Sequence, residues 1–138
     1  MAEENNQTPQ AESFIVEDLA APLPTMTARL IKIVGQLDES NIDINSKAIY
    51  AIIADHPKDL YICFDLTKLE YMNSKSIGYL TDWYGKVTEG GGKITIGGAP
   101  QTVLDILLAV GINELVKCYP TVDEAKFQLF QKDQTNTN

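Results

Sequence analysis

Few residues in this sequence could do chemistry, and most of them stand far from any partner. The one histidine, His56, and the two cysteines, Cys63 and Cys118, are too widely spaced to indicate a zinc site or a histidine-activated nucleophile. Cys63 falls inside the apolar run 60–64 and is expected to be a small core residue. Because the sequence has no catalytic base and no carboxylate pair at a recognisable spacing, it predicts neither an enzyme nor a bound cofactor.

Ser74 has a setting that would suit a phosphate, although from the residues alone a plain helix cap is the simpler interpretation. It precedes a segment of helical periodicity, so its hydroxyl is expected to lie where a loop meets the start of a helix. A phosphate there would meet free backbone N–H groups and the positive end of the helix dipole. Two alternatives stay open: Ser74 is a plain helix cap, or Ser76 is the acceptor, although a hydroxyl two positions into a helix more often bonds locally.

A phosphate on Ser74 would act through its charge, which is about −1.5 to −2 at neutral pH. If the strand ends converge, that charge lies near Asp38, Asp65 and Glu70. An acidic surface on a partner would be repelled, and a dry interface would have to desolvate the phosphate. The modification is therefore expected to break a complex without refolding the domain. Asp65 itself is expected to be structural, bonding the N–H groups of its loop.

Hydrophobic patterns predict nine elements, in the order β-β-α-β-α-β-α-β-α. The predicted strands cover 14–19, 28–34, 60–64, 93–96 and 116–119, and the predicted helices cover 40–56, 74–88, about 100–111 and a segment from 121. Gly35 is expected to end the second strand, and Ser40, Asn41 or Asp43 to cap the first helix. Such alternation is typical of an α/β fold with a mixed sheet of four or five strands, covered by about four helices, whose function lies at the carboxyl ends of the strands.

The helix that begins at Ser74 is expected to present one apolar face and one recognition face. At ~100° per residue, the apolar positions on the predicted core side are Ile77, Leu80, Tyr84 and Val87. Tyr79 falls nearly opposite and Trp83 falls toward a flank, so both are candidate contacts for a partner. The alternative for Trp83 is that it packs under a neighbouring helix.

Length and composition indicate a single globular domain. The chain has 138 residues, of which 44% are hydrophobic, and 19 acids against 11 bases give a net charge of −8. A nucleic acid or an anionic membrane surface would require clustered Lys and Arg, so neither is expected as a partner. No stretch approaches the ~20 apolar residues of a membrane helix, and the polar N-terminus does not resemble a signal peptide. The expected location is the cytoplasm.

Three segments together resemble the STAS family, named for sulfate transporters and anti-sigma antagonists. Gly35-Gln36-Leu37-Asp38 is similar to the family's G-x-L-D. Residues 64–78, FDLTKLEYMNSKSIG, are similar to the stretch in which a strand ends at Asp, a short loop follows and a D-S-x-G-[LI]-G element starts a helix. The third segment is Gly91-Gly92-Lys93 before a strand, followed by a helix that ends at Val110-Gly111-Ile112. The resemblance covers residues 14–131, with disordered polar tails expected at 1–13 and 132–138.

The resemblance implies an anti-sigma-factor antagonist, which works by binding. Unphosphorylated, such a protein binds an anti-sigma factor, a serine kinase of the histidine-kinase-like ATPase fold, and so frees a sigma factor. Phosphorylation of Ser74 by that kinase would release the complex, and a serine phosphatase would reverse it. At two positions the sequence departs from the family, since Asn73 stands where Asp is usual and Ser76 where Gly is usual. The expected partner-binding residues are Asp38, Asn73, Lys75, Ser76, Tyr79 and Trp83.

Three other functions are compatible with parts of the pattern. The first is a STAS module that does not switch, in a scaffold such as a stressosome-like or lipid-transport complex. The second is a receiver domain with Asp65 as the phosphate acceptor, but the acidic pair and the late Lys that hold Mg²⁺ and phosphate are missing. The third is nucleotide binding at Gly97-Gly98, which lacks the surrounding G-x-G-x-x-G pattern and a Lys.

Overall fold

The computed structural model describes residues 14–132, and within them the element order matches the predicted one. The strands are β1 (Phe14–Leu19), β2 (Thr27–Leu37), β3 (Leu60–Met72), β4 (Lys93–Gly97) and β5 (Lys117–Tyr119). The helices are α1 (Ile42–Asp55), α2 (Ser74–Glu89), α3 (Gln101–Ala109) and α4 (Val122–Leu129), with a short 3-10 turn at Ile112–Glu114. The expected tails at 1–13 and 133–138 lie outside the described residues.

The five strands form one mixed sheet in the order β1-β2-β3-β4-β5. β1 runs antiparallel to β2, and the remaining neighbours are parallel. The larger core lies on one face of the sheet, beneath α1, α2 and α3, and a smaller cluster lies on the other face beneath α4. Ile62, Cys63 and Phe64 in the middle of β3 are almost completely buried, as their continuous apolar sequence predicts for a strand covered on both faces.

β2 and β3 are longer than their apolar runs predicted, which corrects two expectations. Gly35 does not end β2, and Asp65 does not end β3, because the two strands stay paired to Leu37 and Met72. The register shifts twice along this extension, once on each side of the Val34–Gly35 segment, so the extension carries β-bulges. Gly35 adopts φ +88°, a conformation that favours glycine, and this lets the strand continue through the irregularity.

The glycines after β4 serve helix packing. A Cβ on Gly97 would lie 2.7 Å from the Cα of Val122 and 2.8 Å from the Cβ of Ala125, so only glycine lets α4 approach the sheet this closely. The space beside Gly97 is therefore filled by α4 of the protein itself. This leaves no basis for a nucleotide site at Gly97-Gly98.

Helix α2 is rotated relative to the predicted helical wheel. Its buried residues are Ser76, Ile77, Leu80, Trp83 and Val87. Trp83 is 2% exposed and stacks on Phe64 at a centroid distance of 5.7 Å, so the expectation that it lies on an exposed flank is wrong. Tyr79 is half-buried and packs against the core instead of facing solvent. The cause is that α2 is covered on two sides, by the sheet and by α1, whereas the wheel assumed one buried side.

Removing the Trp83 side chain is expected to lower the free energy of unfolding strongly. Trp83→Ala should cost about 3–5 kcal/mol, because the ring fills the space between the sheet and the two helices. Lys86→Ala, an exposed position one turn further on, is the matched control and should change stability by less than about 0.5 kcal/mol. Urea denaturation, monitored by circular dichroism, measures the free energy of unfolding of both variants. Equal denaturation midpoints for the two variants would contradict this packing.

Candidate functional site

The start of α2 is fixed by Asn73, not by Ser74. Asn73 is the N-cap residue, and its side-chain Oδ1 accepts hydrogen bonds from the Ser76 backbone N at 2.9 Å and the Ser76 Oγ at 2.7 Å. Ser76 is 1% exposed, so its hydroxyl is enclosed and committed to this bond. The two departures from the family pattern therefore form one capping unit, in which an amide oxygen does what a carboxylate oxygen would do.

Ser74 is the first residue of α2, and it lies on the surface. Because Asn73 supplies the cap, the Ser74 hydroxyl has no part in holding the helix start, and its interpretation as a plain helix cap is wrong. The backbone N–H groups of Ser74 and Lys75 have no intrahelical acceptor at this end of the helix. An acceptor atom on Ser74 would therefore sit beside unpaired donors and the positive end of the α2 dipole.

Two loops meet at this point, because the extended strands bring them together. The Asn73 backbone N donates to the Leu37 carbonyl at 3.0 Å, so Asp38 and Ser74 each directly follow one member of a hydrogen-bonded pair. The Asp38 carboxylate accepts bonds from the Ser40 backbone N at 2.9 Å and the Ser40 Oγ at 2.6 Å. These two bonds, the side-chain one first, hold the pKa of Asp38 below its ordinary value. Asp38 is thus both a turn residue and a neighbour of the Ser74 loop.

The loop that leads into α1 is stiffened by Asn41. The Asn41 Oδ1 accepts the Asp38 backbone N at 3.1 Å, and its Nδ2 donates to the Gln36 carbonyl at 2.8 Å. Asn41 occupies the N-cap position of α1, but its side chain holds the preceding loop instead of capping the helix. The Asp38 turn is therefore held by hydrogen bonds within its own loop.

A polar clasp joins α1 to α2 beside Ser74. Asp43, in the first turn of α1, accepts the Tyr79 hydroxyl at 2.7 Å and the Lys75 Nζ at 3.1 Å. Lys75 also lies 3.6 Å from Glu39, and the Tyr50 hydroxyl donates to Asp82 nearby. The Tyr79 and Lys75 bonds lower the pKa of Asp43, and the Asp43 bond raises the pKa of Lys75.

The structure brings most of the predicted site residues together around Ser74 and places the others elsewhere. Asp38, Asn73, Lys75 and Ser76 lie in the two loops or the first turn of α2, around Ser74. Trp83 lies in the core, and Tyr79 lies in the clasp. Asp65 is elsewhere: its carboxylate accepts the Thr67 backbone N and Oγ1 within the β3 bulge, as a structural residue. It is seven residues before the end of β3, which places it about 23 Å along the strand.

Asp43, Glu39 and Asn41 belong to the site although the sequence analysis assigned them no partner contact. The sequence predicted Asn41 and Asp43 only as possible caps of the first helix. A signal for Asp43 exists in the sequence, since an acid in the first turn of one helix and a Lys in the first turn of another can pair when both helices start at the same sheet edge. That they do so depends on the extended β2–β3 pairing.

Residues 24–125 match the family described as the STAS domain, which is the greater part of the chain. The chain belongs to the STAS domain family. A search among curated proteins finds no match. Across residues 14–132, no helix of this STAS domain is long and apolar enough to cross a membrane.

Solved structures share the fold at low sequence identity. A Thermotoga maritima protein, described as a candidate anti-sigma factor antagonist, has a TM-score of 0.72 at 17% identity, over 88% of this chain and 98% of that one. The phosphorylated form of SpoIIAA, a Bacillus cell fate determinant, has a TM-score of 0.61 at 17% identity, over 83% of this chain and 97% of that one. The murine anion transporter Slc26a9 has a TM-score of 0.64 at 12% identity, over 83% of this chain but 22% of that one. The fold thus occurs both as a small separate protein and as part of a transporter.

The capping role of Asn73 can be measured directly. Asn73→Ala removes the acceptor for both Ser76 donors and should cost about 1–2 kcal/mol of unfolding free energy. Asn73→Asp keeps an oxygen at the same place and adds a charge that favours the helix N-terminus, so it should match or slightly exceed wild-type stability at pH 7. Thermal melting of the three proteins gives the comparison. An Asn73→Asp protein as unstable as Asn73→Ala would contradict the capping geometry.

The clasp should make stability depend on pH through Asp43. Its pKa is lowered in the folded state from the ordinary value of 3.8. Its stabilising contribution is therefore present above that value, and it is lost as the pH falls through the lower folded pKa. Wild type should be more stable than Asp43→Asn at pH 7, and the difference should shrink in acid below pH 3.8. Urea denaturation across the acidic range measures this. A difference that stays constant with pH would show that the Asp43 charge does not contribute.

Proposed function

We propose that this STAS domain is a cytoplasmic anti-sigma-factor antagonist whose binding is switched by phosphorylation of Ser74. In its unphosphorylated form it binds an anti-sigma factor, a serine kinase of the histidine-kinase-like ATPase fold, and thereby frees a sigma factor. The observation that carries the proposal is that Ser74, the first residue of α2, is exposed. Its hydroxyl is not needed to cap the helix, because Asn73 does so. The proposed role is binding, without catalysis.

Accessibility supports Ser74 over Ser76 as the acceptor. A kinase has to align the acceptor hydroxyl with the phosphate of its nucleotide. Ser74 is exposed at the surface, whereas the Ser76 hydroxyl is enclosed and donates to Asn73. Phosphorylating Ser76 would require the first turn of α2 to open, and phosphorylating Ser74 would leave the cap intact. The switch can therefore act on the surface charge while the fold is preserved.

The charges around Ser74 make a phosphate there a large change. Three acids, Asp38, Glu39 and Asp43, and one base, Lys75, lie in the neighbouring loop and the first turns of α1 and α2, which gives a local charge of about −2 by simple counting at neutral pH. A phosphate adds about −1.5 to −2 and so nearly doubles that charge. Screening limits its reach to about 10 Å, so only a partner that covers the start of α2 would respond strongly. A covered phosphate would also have to lose water, and this opposes binding.

A phosphate on Ser74 would also affect the ion pairs of Lys75. The lysine is bound to Asp43 and Glu39, and it follows Ser74 directly in the chain. A phosphate would compete for it, because phosphate is the more highly charged acceptor. The competition would loosen the link between the β2–α1 loop and α2. We propose that phosphorylation therefore changes the position of the β2–α1 loop relative to α2, as well as the charge of the surface presented to the partner.

The proposed contact surface follows from the observed phase of α2. Its exposed residues include Ser74, Gly78, Thr81 and Gly85, which form a line of small side chains leading away from the switch. A partner helix or loop could approach this line closely, since small residues keep the backbone accessible. Asp38 and Lys75 border its switch end. This line of small residues takes the place of Tyr79 and Trp83 as the proposed partner contact, since both aromatic side chains pack inside the domain.

Charge at residue 74 should decide partner affinity. Ser74→Asp should weaken binding of the anti-sigma factor by about tenfold or more, which is about 1.4 kcal/mol. Ser74→Ala should bind within about twofold of wild type but should not be released by ATP, because it cannot accept phosphate. Thr102→Asp is the matched control, since it adds the same charge to an exposed residue in the first turn of α3. Isothermal titration with the captured kinase, after melting has confirmed folding, makes the comparison.

Affinity capture from a native lysate, followed by mass spectrometry and phosphosite mapping, tests the whole proposal. Wild-type and Ser74→Ala proteins should recover the same serine kinase, with phosphate found on Ser74 of the wild type only. If the kinase is captured but binds Ser74→Asp and Thr102→Asp with equal affinity, charge at the start of α2 has no role in binding. A stable complex in which Ser74 is never phosphorylated would instead favour a STAS module that does not switch, the form that a domain within a transporter or scaffold would take.

A further inference from the structure

A second concave site lies at the end of the sheet opposite to Ser74. The amino ends of β3, β4 and β5 meet the last turns of α2 and α4 there and enclose a groove of about 300 Å³. This volume is at the lower end of the range in which proteins bind small molecules. Ser74 lies beyond the carboxyl end of β3, so the groove is separated from the switch by the length of the sheet. It is not part of the site described above.

The groove has an apolar and aromatic interior. Ile94 and Leu129 are buried residues that contribute to its lining. Tyr61 and Phe130 are half-buried and lie against each other at a centroid distance of 5.6 Å, and the Tyr61 hydroxyl donates to the Gly91 carbonyl at 3.4 Å. Leu115 stands at the opening, 43% exposed. These surfaces suit the flat or aliphatic body of a small ligand.

The charge of the groove is opposite to that of the protein. The chain carries a net charge of −8, yet three lysines and no Asp or Glu line the groove, as far as the described residues show. The lysines are Lys93, Lys117 and Lys132. Asp59 is outside the lining; burial and, after it, the charge of Asp59 raise the pKa of Tyr61. A basic pocket in so acidic a chain would draw a small anion toward one place.

Compensation of helix dipoles accounts for one of these lysines. Lys93 donates to the carbonyl oxygens of Gln128 and Gln131 at 2.9 Å each, and so satisfies the C-terminal end of α4. Lys117 is exposed at the first residue of β5, and Lys132 is exposed beyond α4. Within residues 14–132 neither of these two forms a salt bridge. Their charges therefore remain available at the rim, while Lys93 neutralises the carbonyls behind them.

We propose that this groove binds a small amphipathic anion, with an apolar or aromatic body against Tyr61, Phe130 and Leu115 and a carboxylate, sulfonate or phosphate at Lys117 and Lys132. The ligand is bound, not transformed, since the lining holds no nucleophile positioned beside a base. The inference does not depend on the proposed switch, because it uses none of the residues around Ser74.

Two fluorescent probes with the same kind of aromatic body separate the two parts of the recognition. Anilinonaphthalene sulfonate carries an anionic group, and phenylnaphthylamine is neutral. The anionic probe should bind wild type at one saturable site, with amide NMR shifts concentrated at residues of the groove such as Gly92, Ile94 and Leu115. Lys117→Glu should weaken its binding by about fivefold or more and leave the neutral probe within about twofold.

Lys47→Glu on α1 is the matched control, because it changes the net charge equally at an exposed residue outside the groove. It should leave both probes within about twofold. Lys132→Glu provides a second variant should Lys117→Glu lower the melting temperature. Equal loss of the anionic probe in Lys47→Glu and Lys117→Glu, NMR shifts outside the groove, or a signal that follows the unfolded fraction would each overturn the proposal. Ser74→Asp should bind the probes as wild type does, so failure here and failure of the switch are distinguishable.

Discussion

The pairing of β2 with β3 to their last residues is the constraint on which the functional end of this protein depends. Both strands stay paired through bulges near Thr67 and Gly35, with Leu37 and Met72 still buried in the core, and the hydrogen bond from the Asn73 N–H to the Leu37 carbonyl closes the pair. Because of this pairing, the turn at Asp38 and the start of α2 lie side by side. Without it, Ser74 would open a helix at the end of a loose loop, and Asp43 and Lys75 would have no reason to meet.

Tasks at the start of α2 are divided between neighbouring residues, and the division has a physical advantage for a switch. A residue that caps a helix cannot change its charge without changing helix stability. Here Asn73 accepts both Ser76 donors, so the cap is complete before Ser74 is considered. The exposed serine is then free to gain or lose a phosphate at little cost to the fold. This arrangement also explains how the chain tolerates Asn and Ser at positions where Asp and Gly are usual in the family.

The two sites differ in the charges that line them, although both are built from helix termini and strand ends. Asp38, Glu39 and Asp43 lie in the loop after β2 and the first turn of α1, and Lys75 pairs with two of these acids, Glu39 and Asp43. The amino ends of β3, β4 and β5 carry three lysines around an aromatic groove. A small anion would therefore be drawn to the groove rather than to the acidic loops around Ser74. The length of the sheet separates the two sites, so each can be studied with its own variants.

The sequence by itself determined the order of the elements, the buried middle of β3, the start of α2 at Ser74 and the family to which the chain belongs. These follow from local patterns, namely hydrophobic period, cap residues and short motifs, which the chain carries wherever it is placed. Tertiary structure alone decided the ends of β2 and β3, because the segments beyond Val34 and Phe64 are too polar to predict as strand. Pairing with each other and the burial of Leu37, Leu66, Leu69 and Met72 hold them in the sheet. It also decided the places of Tyr79 and Trp83, since a helix covered on two sides buries a wider arc than one apolar stripe indicates. The clasp at Asp43 and the basic groove depend on residues that are distant along the chain, and only the packed sheet brings them together.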